Sequence, residues 1–251
     1  LFTAEWLMPN AVKNERVLLY LHGGGYVIGS THTHRALAGK IAKGISSNCL
    51  LIDYRKAPEN PYPAALDDSF EAYKYLLDKG YQPEHIIVAG DSAGGGLAVA
   101  LQYELRDFHI PLPACTVLLS PYLDLTGAGA SVQENAKNDR FLDVFEMRRW
   151  AEMYADGHDF SDPMISPLFG DVSGLSPTLI QASESEVLYD DSVRFARKLE
   201  EAGVEVILQT WKGLIHWWHM FGGMPEAKEA IDKVIDFINI RHDEKISNSE
   251  I

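Results

Sequence analysis

The sequence predicts an α/β fold, with a mostly parallel central sheet and helices on both of its faces. Three observations predict it. Short apolar runs alternate with longer amphipathic ones along most of the chain. The inner runs, such as VLLYL, IIVA and CTVLL, are apolar at successive positions and so on both faces, as in the middle strands of a parallel sheet. Strand and helix candidates follow one another in the order of βαβ units. The chain has 251 residues, 46% of them hydrophobic, which is enough for one large core. A single domain over residues 1–251 is expected.

The elements follow in order. FTAEWL (2–7) and VLLYLH (17–22) read as strands, and residues 33–46 carry helical spacing. CLLIDY (49–54) is a strand candidate, followed by a helix over 64–79. IIVAG (86–90) leads into a helix over 93–106, and CTVLLS (115–120) is the next strand. TLIQAS (178–183), a helix over 190–202, VEVILQTW (204–211) and a helix over 225–240 complete the pattern. Gly203, just past KLEEA, is a helix stop. Pro225, beginning PEAKEAIDKVIDFI, is a helix start. The polar tail RHDEKISNSEI is expected to fray.

One stretch breaks the alternation. Between Asp124 and Asp162 there is no strand candidate, only GAGAS and then the helix-prone DVFEMRRWAEMYADG. An excursion of this size between two strands reads as a helical cap insertion, over about 124–160, lying above the sheet where it helps form a pocket.

Composition excludes several classes. A net charge of −14 with no basic cluster argues against nucleic acid or anionic membrane as a partner. The longest apolar runs fall far short of the ~20 residues that span a bilayer. LFTAEWLMPN lacks the basic flank and apolar block of a secretory leader. The two cysteines, Cys49 and Cys115, sit in apolar runs, so buried thiols are expected rather than a disulfide scaffold or a metal site. A cytoplasmic location fits this usage.

Three motifs carry chemistry. In GDSAG, Ser92 stands between Gly90 and Gly94 where a buried strand meets a helix. A tight turn would suffice to explain the glycines. A nucleophile elbow explains the serine too, because the strained turn exposes its hydroxyl and brings the flanking positions almost into contact. The second motif is His22-Gly23-Gly24-Gly25 after VLLYL, where backbone N–H groups can face a cavity unobstructed. That suits an oxyanion hole. A phosphate loop is excluded because no Gly-Lys-Ser/Thr follows.

The third motif is WKGLIH, with His216 in the loop after the last strand, the place for a general base. Nine histidines occur, so position must decide. His219 is the rival, but it falls in the helical stretch that follows. His22 is expected to orient the glycine loop, and His32 and His34 to open a helix. The acid belongs between serine and histidine in chain order. Glu186 lies just past TLIQAS, whereas Glu184 is too close to the strand end, and Asp190 and Asp191 open a helix, where acids serve as caps.

The chain resembles the hormone-sensitive-lipase-like family of α/β-hydrolases over nearly all of its length. The resemblance is carried by LYLHGGGYVIGS (19–30), DYRKAPENPYPAALDD (53–68), VAGDSAGGGLAVAL (88–101), SPYLDLT (120–126), DPMISPL (162–168), SEVLYDDS (185–192) and WKGLIHWW (211–218). It implies a catalytic triad of Ser92, Glu186 and His216, with the N–H groups of Gly24, Gly25 and Ala93 as oxyanion donors. It implies a serine carboxylesterase acting through an acyl-enzyme on short- to medium-chain esters, with no metal or organic cofactor. An amidase or deacetylase with the same triad is the alternative, and a non-catalytic ligand-binding member of the fold is a distant third, since His216 is present. Three departures stand out: Glu186-Val187-Leu188 where many members carry Asp-Pro-Leu, Lys56 for a usual leucine, and Asn60 for a usual histidine. Neither Lys56 nor Asn60 is expected to touch the chemistry.

Family members carry cap helices ahead of HGGG, and the sequence from FTAEWL onward has no counterpart of them. The site is therefore expected to be covered by the insertion alone. Tyr26, Trp150 and Trp217 are assigned to the substrate pocket. Apolar faces around Tyr26, Trp150 and Trp217–Trp218 are expected to be exposed or covered by a neighbour, which leaves a homodimer open.

Overall fold

The computed structural model describes residues 2–10, 12 and 15–249. Seven strands form one sheet: β1 (Thr3–Leu7), β2 (Val17–Leu21), β3 (Asn48–Asp53), β4 (Ile86–Asp91), β5 (Cys115–Leu119), β6 (Thr178–Ser183) and β7 (Val206–Trp211). Their spatial order is β1-β3-β2-β4-β5-β6-β7. β1 runs antiparallel to β3, and every other neighbour pair is parallel.

Strand pleating divides the core. Along β2, Val17, Leu19 and Leu21 face one hydrophobic cluster, while Leu18 and Tyr20 face the other. Side chains alternate faces with a period of two, so an all-apolar run needs cover on both sides. On the first side α2 (Ala64–Asp78), α3 (Ala93–Asp107) and α6 (Tyr189–Glu201) supply Tyr73, Leu97 and Phe195. On the second, α1 (Thr31–Gly44) and α7 (Pro225–Ser249) supply Ile41, Val234 and Phe237. Each fully buried leucine contributes roughly 1.5–3 kcal/mol. The edge strands β1 and β7 are only partly buried, matching their mixed sequences.

Between β5 and β6 the chain makes α4 (Ser131–Glu134) and α5 (Val144–Ala155), with no strand among the described residues. Asp143 caps α5, its carboxylate accepting the N–H of Glu146 at 3.0 Å. α7 runs on to Ser249 where fraying was expected after residue 240. No glycine or proline interrupts RHDEKIS, and its residues permit continued helix. Cys49 and Cys115 are buried as thiols. No helix among the described residues is long and apolar enough to cross a membrane.

Parallel strands put their C-terminal ends on one side. β2 lies beside β4, and β6 beside β7. The loops after these four strands carry His22–Gly25, Ser92, Glu186 and His216, so strand order brings the three motifs together at the rim where α/β sheets bind ligands.

Candidate active site

Ser92 sits between β4 and α3 with φ 51° and ψ −121°. A positive φ is costly for a residue with a Cβ and persists only when its surroundings fix it. Here they do. The Ser92 N–H donates to Leu119 O at 2.9 Å, and its carbonyl accepts from Gly95 and Tyr122, both at 2.9 Å. The flanking glycines are required by contact. A Cβ on Gly90 would lie 2.2 Å from Gly94 O, and one on Gly94 would lie 2.0 Å from Leu21 O.

The glycine loop stands beside this elbow. The Nδ1 of His22 donates to Gly23 O at 2.7 Å, and Tyr54 Oη donates to His22 O at 2.7 Å. The His22 ring also stacks on Tyr54 at 4.2 Å. These contacts orient the loop, as expected of His22. Gly24 O accepts from Val27 and Ile28 at 3.1 and 2.9 Å. Gly25 has φ 59°, and a Cβ there would meet Trp150 of α5 at 2.3 Å. Ala93 is the first residue of α3, where a backbone N–H has no partner within the helix.

Glu186 is fully buried. One carboxylate oxygen accepts the N–H of Ser183 at 3.1 Å, and the other lies 2.9 Å from His216 Nδ1. Since the carboxylate accepts, Nδ1 carries the proton, and in the neutral ring the lone pair then falls on Nε2. Two serines join the loops that hold this pair. Ser183 Oγ donates to Leu214 O at 2.6 Å, and Ser185 Oγ accepts from Gly213 N at 3.1 Å.

Gly23, Gly24, Gly25, Ser92 and His216 share a cavity of about 300 Å³, walled by Phe141, Leu142, Trp150 and Trp217. Among the described residues no hydrogen bond joins Ser92 Oγ to His216, a contact that commonly tightens only when substrate binds. Phe141, Leu142 and Trp150 all come from the segment between β5 and β6. No described residue before His22 lines this cavity, and none forms a helix there. Ile28 and Phe141, both on this cavity, leave an apolar rim, at 52 and 46% exposure.

Several expectations need correction. Tyr26 does not line the cavity. Its φ of 64° turns the ring into the core, where it stacks on Tyr154 at 3.8 Å with its hydroxyl over Gly96. Trp218 is likewise buried, against Trp211 and His219. Asp190 and Asp191 do more than open α6. Asp190 accepts the N–H of Ser131 at 3.0 Å, and Asp191 those of Leu123 and Asp124 at 2.8 and 2.9 Å, clamping the segment after β5. His219 does fall in the helical turn Trp218–Met220, as expected, where it is buried with its Nε2 bonded to Gln181 at 3.1 Å, and burial pushes its pKa down to about 3. Lys56 and Asn60, by contrast, stay off the cavity as expected, Lys56 bonding Asp53 at 2.6 Å.

Two residues escaped the sequence reading, and a third was read only in part. Asn135 and Asp139 tie the inserted segment to the Glu186 loop, and nothing in the polar run QENAKND marks them. His34 opens α1 as expected, but its ring also lines the cavity, 3.2 Å from Asp91.

Comparison with known proteins gives concordant results. A family profile described as alpha/beta hydrolase fold matches residues 18–220. An acetyl-hydrolase of Streptomyces hygroscopicus is 42% identical over 231 residues, 92% of this chain and 77% of that protein. An esterase of Acinetobacter venetianus is 39% identical, covering 88% of this chain and 74% of its own length. Among solved structures, EstE5 soaked with p-nitrophenyl butyrate superposes with a TM-score of 0.93 at 40% identity, over 96% of this chain and 82% of that one. An esterase from the bacterial hormone-sensitive lipase family superposes with a TM-score of 0.94 at 40% identity and the same coverage.

Proposed function

The chain belongs to the α/β-hydrolase fold family and, within it, to the carboxylic ester hydrolases of the hormone-sensitive-lipase group, and from that premise we propose a serine carboxylesterase for short- to medium-chain acyl esters. The observation that carries the reading is the buried 2.9 Å bond from Glu186 to His216, on the cavity that Ser92 also lines.

In this reading Ser92 attacks the ester carbonyl and His216 Nε2 takes its proton. Glu186 holds the ring in the tautomer that leaves Nε2 free, and stabilises the imidazolium that forms. The N–H groups of Gly24, Gly25 and Ala93 receive the oxyanion. His216 protonates the departing alcohol, then activates the water that releases the acid from Ser92. A cavity of about 300 Å³ supports a short acyl group. The p-nitrophenyl butyrate soaked into the related EstE5 crystal is such an ester.

Two measurements test this. Diethyl p-nitrophenyl phosphate should label the protein once, on the peptide carrying Ser92. Turnover of p-nitrophenyl esters should be highest at acetate to octanoate and fall at palmitate. A label on another residue, or palmitate as the best substrate, overturns the proposal.

A further inference from the structure

Asp91 places a carboxylate immediately before Ser92, and only 1% of the residue is exposed. Its Oδ1 accepts from Tyr20 Oη at 2.8 Å, and its Oδ2 lies 3.2 Å from His34 Nε2. That same Oδ2 presses on the glycine loop, since a Cβ on Gly23 would fall 2.2 Å from it. The charge therefore sits between the nucleophile's turn and the loop assigned to the oxyanion. A buried carboxylate keeps its field, because no water spreads it. Left alone, it would oppose the negative charge that forms on the substrate oxygen.

His34 is the group placed to offset it. The ring is buried on the cavity wall and stacks on Trp217 at 4.6 Å. Its Nε2 faces Asp91, and its Nδ1 faces Thr33 Oγ1 at 2.7 Å and Ser30 O at 3.3 Å. Both nitrogens thus have an acceptor, which satisfies an imidazolium. Burial pulls the His34 pKa down, but the Asp91 charge, the bond to Asp91 and the Ser30 carbonyl outweigh it and raise the net value. Burial pushes Asp91 up, yet the His34 charge and the bonds from His34 and Tyr20 leave it lowered.

His22 adds a smaller charge effect on Asp91 in the same direction, and the other titratable groups around the pair have partners of their own. The His22 ring is 5.3 Å from that of His34 and faces Asp53 at 3.5 Å, with Lys56 also on Asp53. His216 is held by Glu186, and His219 is bonded to Gln181. On α1 itself, His32 is exposed and Arg35 pairs with Glu5 at 3.0 Å.

We propose that His34 is a positioning residue that keeps Asp91 charge-compensated, so that the oxyanion loop meets no unopposed negative charge during ester hydrolysis. The inference rests on the reading of Ser92 as nucleophile. Loss of the His34 proton then restores the opposing charge. Turnover should therefore fall on the high-pH side of the profile, as His34, whose pKa is raised, loses its proton.

The test compares wild type, His34→Gln, Asp91→Asn and the double variant as full chains, with kcat and KM on p-nitrophenyl butyrate measured across pH. His34→Gln should lower kcat about tenfold or more, with KM within about threefold. Asp91→Asn added to it should recover most of that loss, because the charge needing compensation is gone. Both variants lacking Asp91 should lose the alkaline limb seen in wild type. A double variant no faster than His34→Gln overturns the proposal, as does an Asp91→Asn variant that keeps the alkaline limb. Should His34→Gln fail to fold, the Asp91→Asn profile against wild type decides alone. Phosphate labelling of Ser92 reports separately on the nucleophile, so the two readings fail independently.

Discussion

The side-chain amide of Asn135 donates at 3.0 Å to the carbonyl oxygen of Glu186, and at the same distance to that of Glu184. One residue later in the same loop, the N–H of Val187 donates to Asp139 Oδ2 at 3.1 Å. The other oxygen of Asp139 accepts from Phe141 and Leu142 at 2.9 and 3.1 Å. The segment that walls the cavity is thereby fastened to the loop of the carboxylate paired with His216. Asp139→Ala should lower kcat about tenfold or more, because small misplacements of reacting groups are costly. It should also cost about 1–3 kcal/mol of stability by leaving the buried N–H of Val187 unpaired. Asp139→Asn, which keeps an acceptor oxygen, should lose less. An Asp139→Ala variant with wild-type kcat would show that this tie does not position Glu186.

Ser92→Ala should fold normally and lose about 10⁴–10⁶-fold in kcat. Circular dichroism checks the first statement, and ester hydrolysis by protein free of other esterases checks the second. Turnover near wild type would remove Ser92 from the chemistry.

Among the acids after β6, Glu186→Gln should be the most damaging to kcat, since only Glu186 bonds His216. Asp191→Ala should act instead on stability, because Asp191 accepts two buried backbone N–H groups. Thermal unfolding alongside kinetics separates the two effects. If Asp190→Asn or Asp191→Asn proved worse for kcat than Glu186→Gln, the acid would be misassigned.

Gly25→Ala should lose both activity and thermal stability. Its φ of 59° disfavours a Cβ, and the added methyl would lie 2.3 Å from Trp150. Trp150→Leu should relieve the clash but not the backbone strain, so the double variant should recover only part of the activity. Full activity in Gly25→Ala alone would mean that the loop tolerates displacement.

His219 should make the protein acid-labile. Burial lowers its folded pKa to about 3, against 6.5 ordinarily. Between these values the unfolded chain binds a proton that the native one does not. Its contribution is whole above pH 6.5 and is lost as pH falls below that, at a limiting slope of about 1.4 kcal/mol per pH unit. His219→Gln should flatten this part of the profile, measured by denaturant unfolding between pH 5 and 7. An unchanged slope would mean that His219 protonates freely in the native state.

The seven strands and the long helices were legible because their signals are local. A run such as VLLYL is apolar on both faces and has to lie between two layers, and Gly203 and Pro225 mark helix ends by backbone chemistry alone. Ser92 and the glycine loop were legible for the same reason, since a strained turn and an unobstructed backbone each need particular residues at adjacent positions. Tertiary structure alone decided what met across the chain. Tyr26 reads as a pocket residue until its backbone turns the ring into the core. His34 reads as a helix-opening residue until β2 and β4 pair, setting Asp91 beside it across 57 positions of sequence. Asn135 and Asp139 lie in a polar run with no periodicity, and their partners are 48 to 51 positions away. Local patterns record what a residue's own turn or strand requires. Contacts between distant loops depend on which strands are neighbours and in what register, and that is settled only when the sheet assembles.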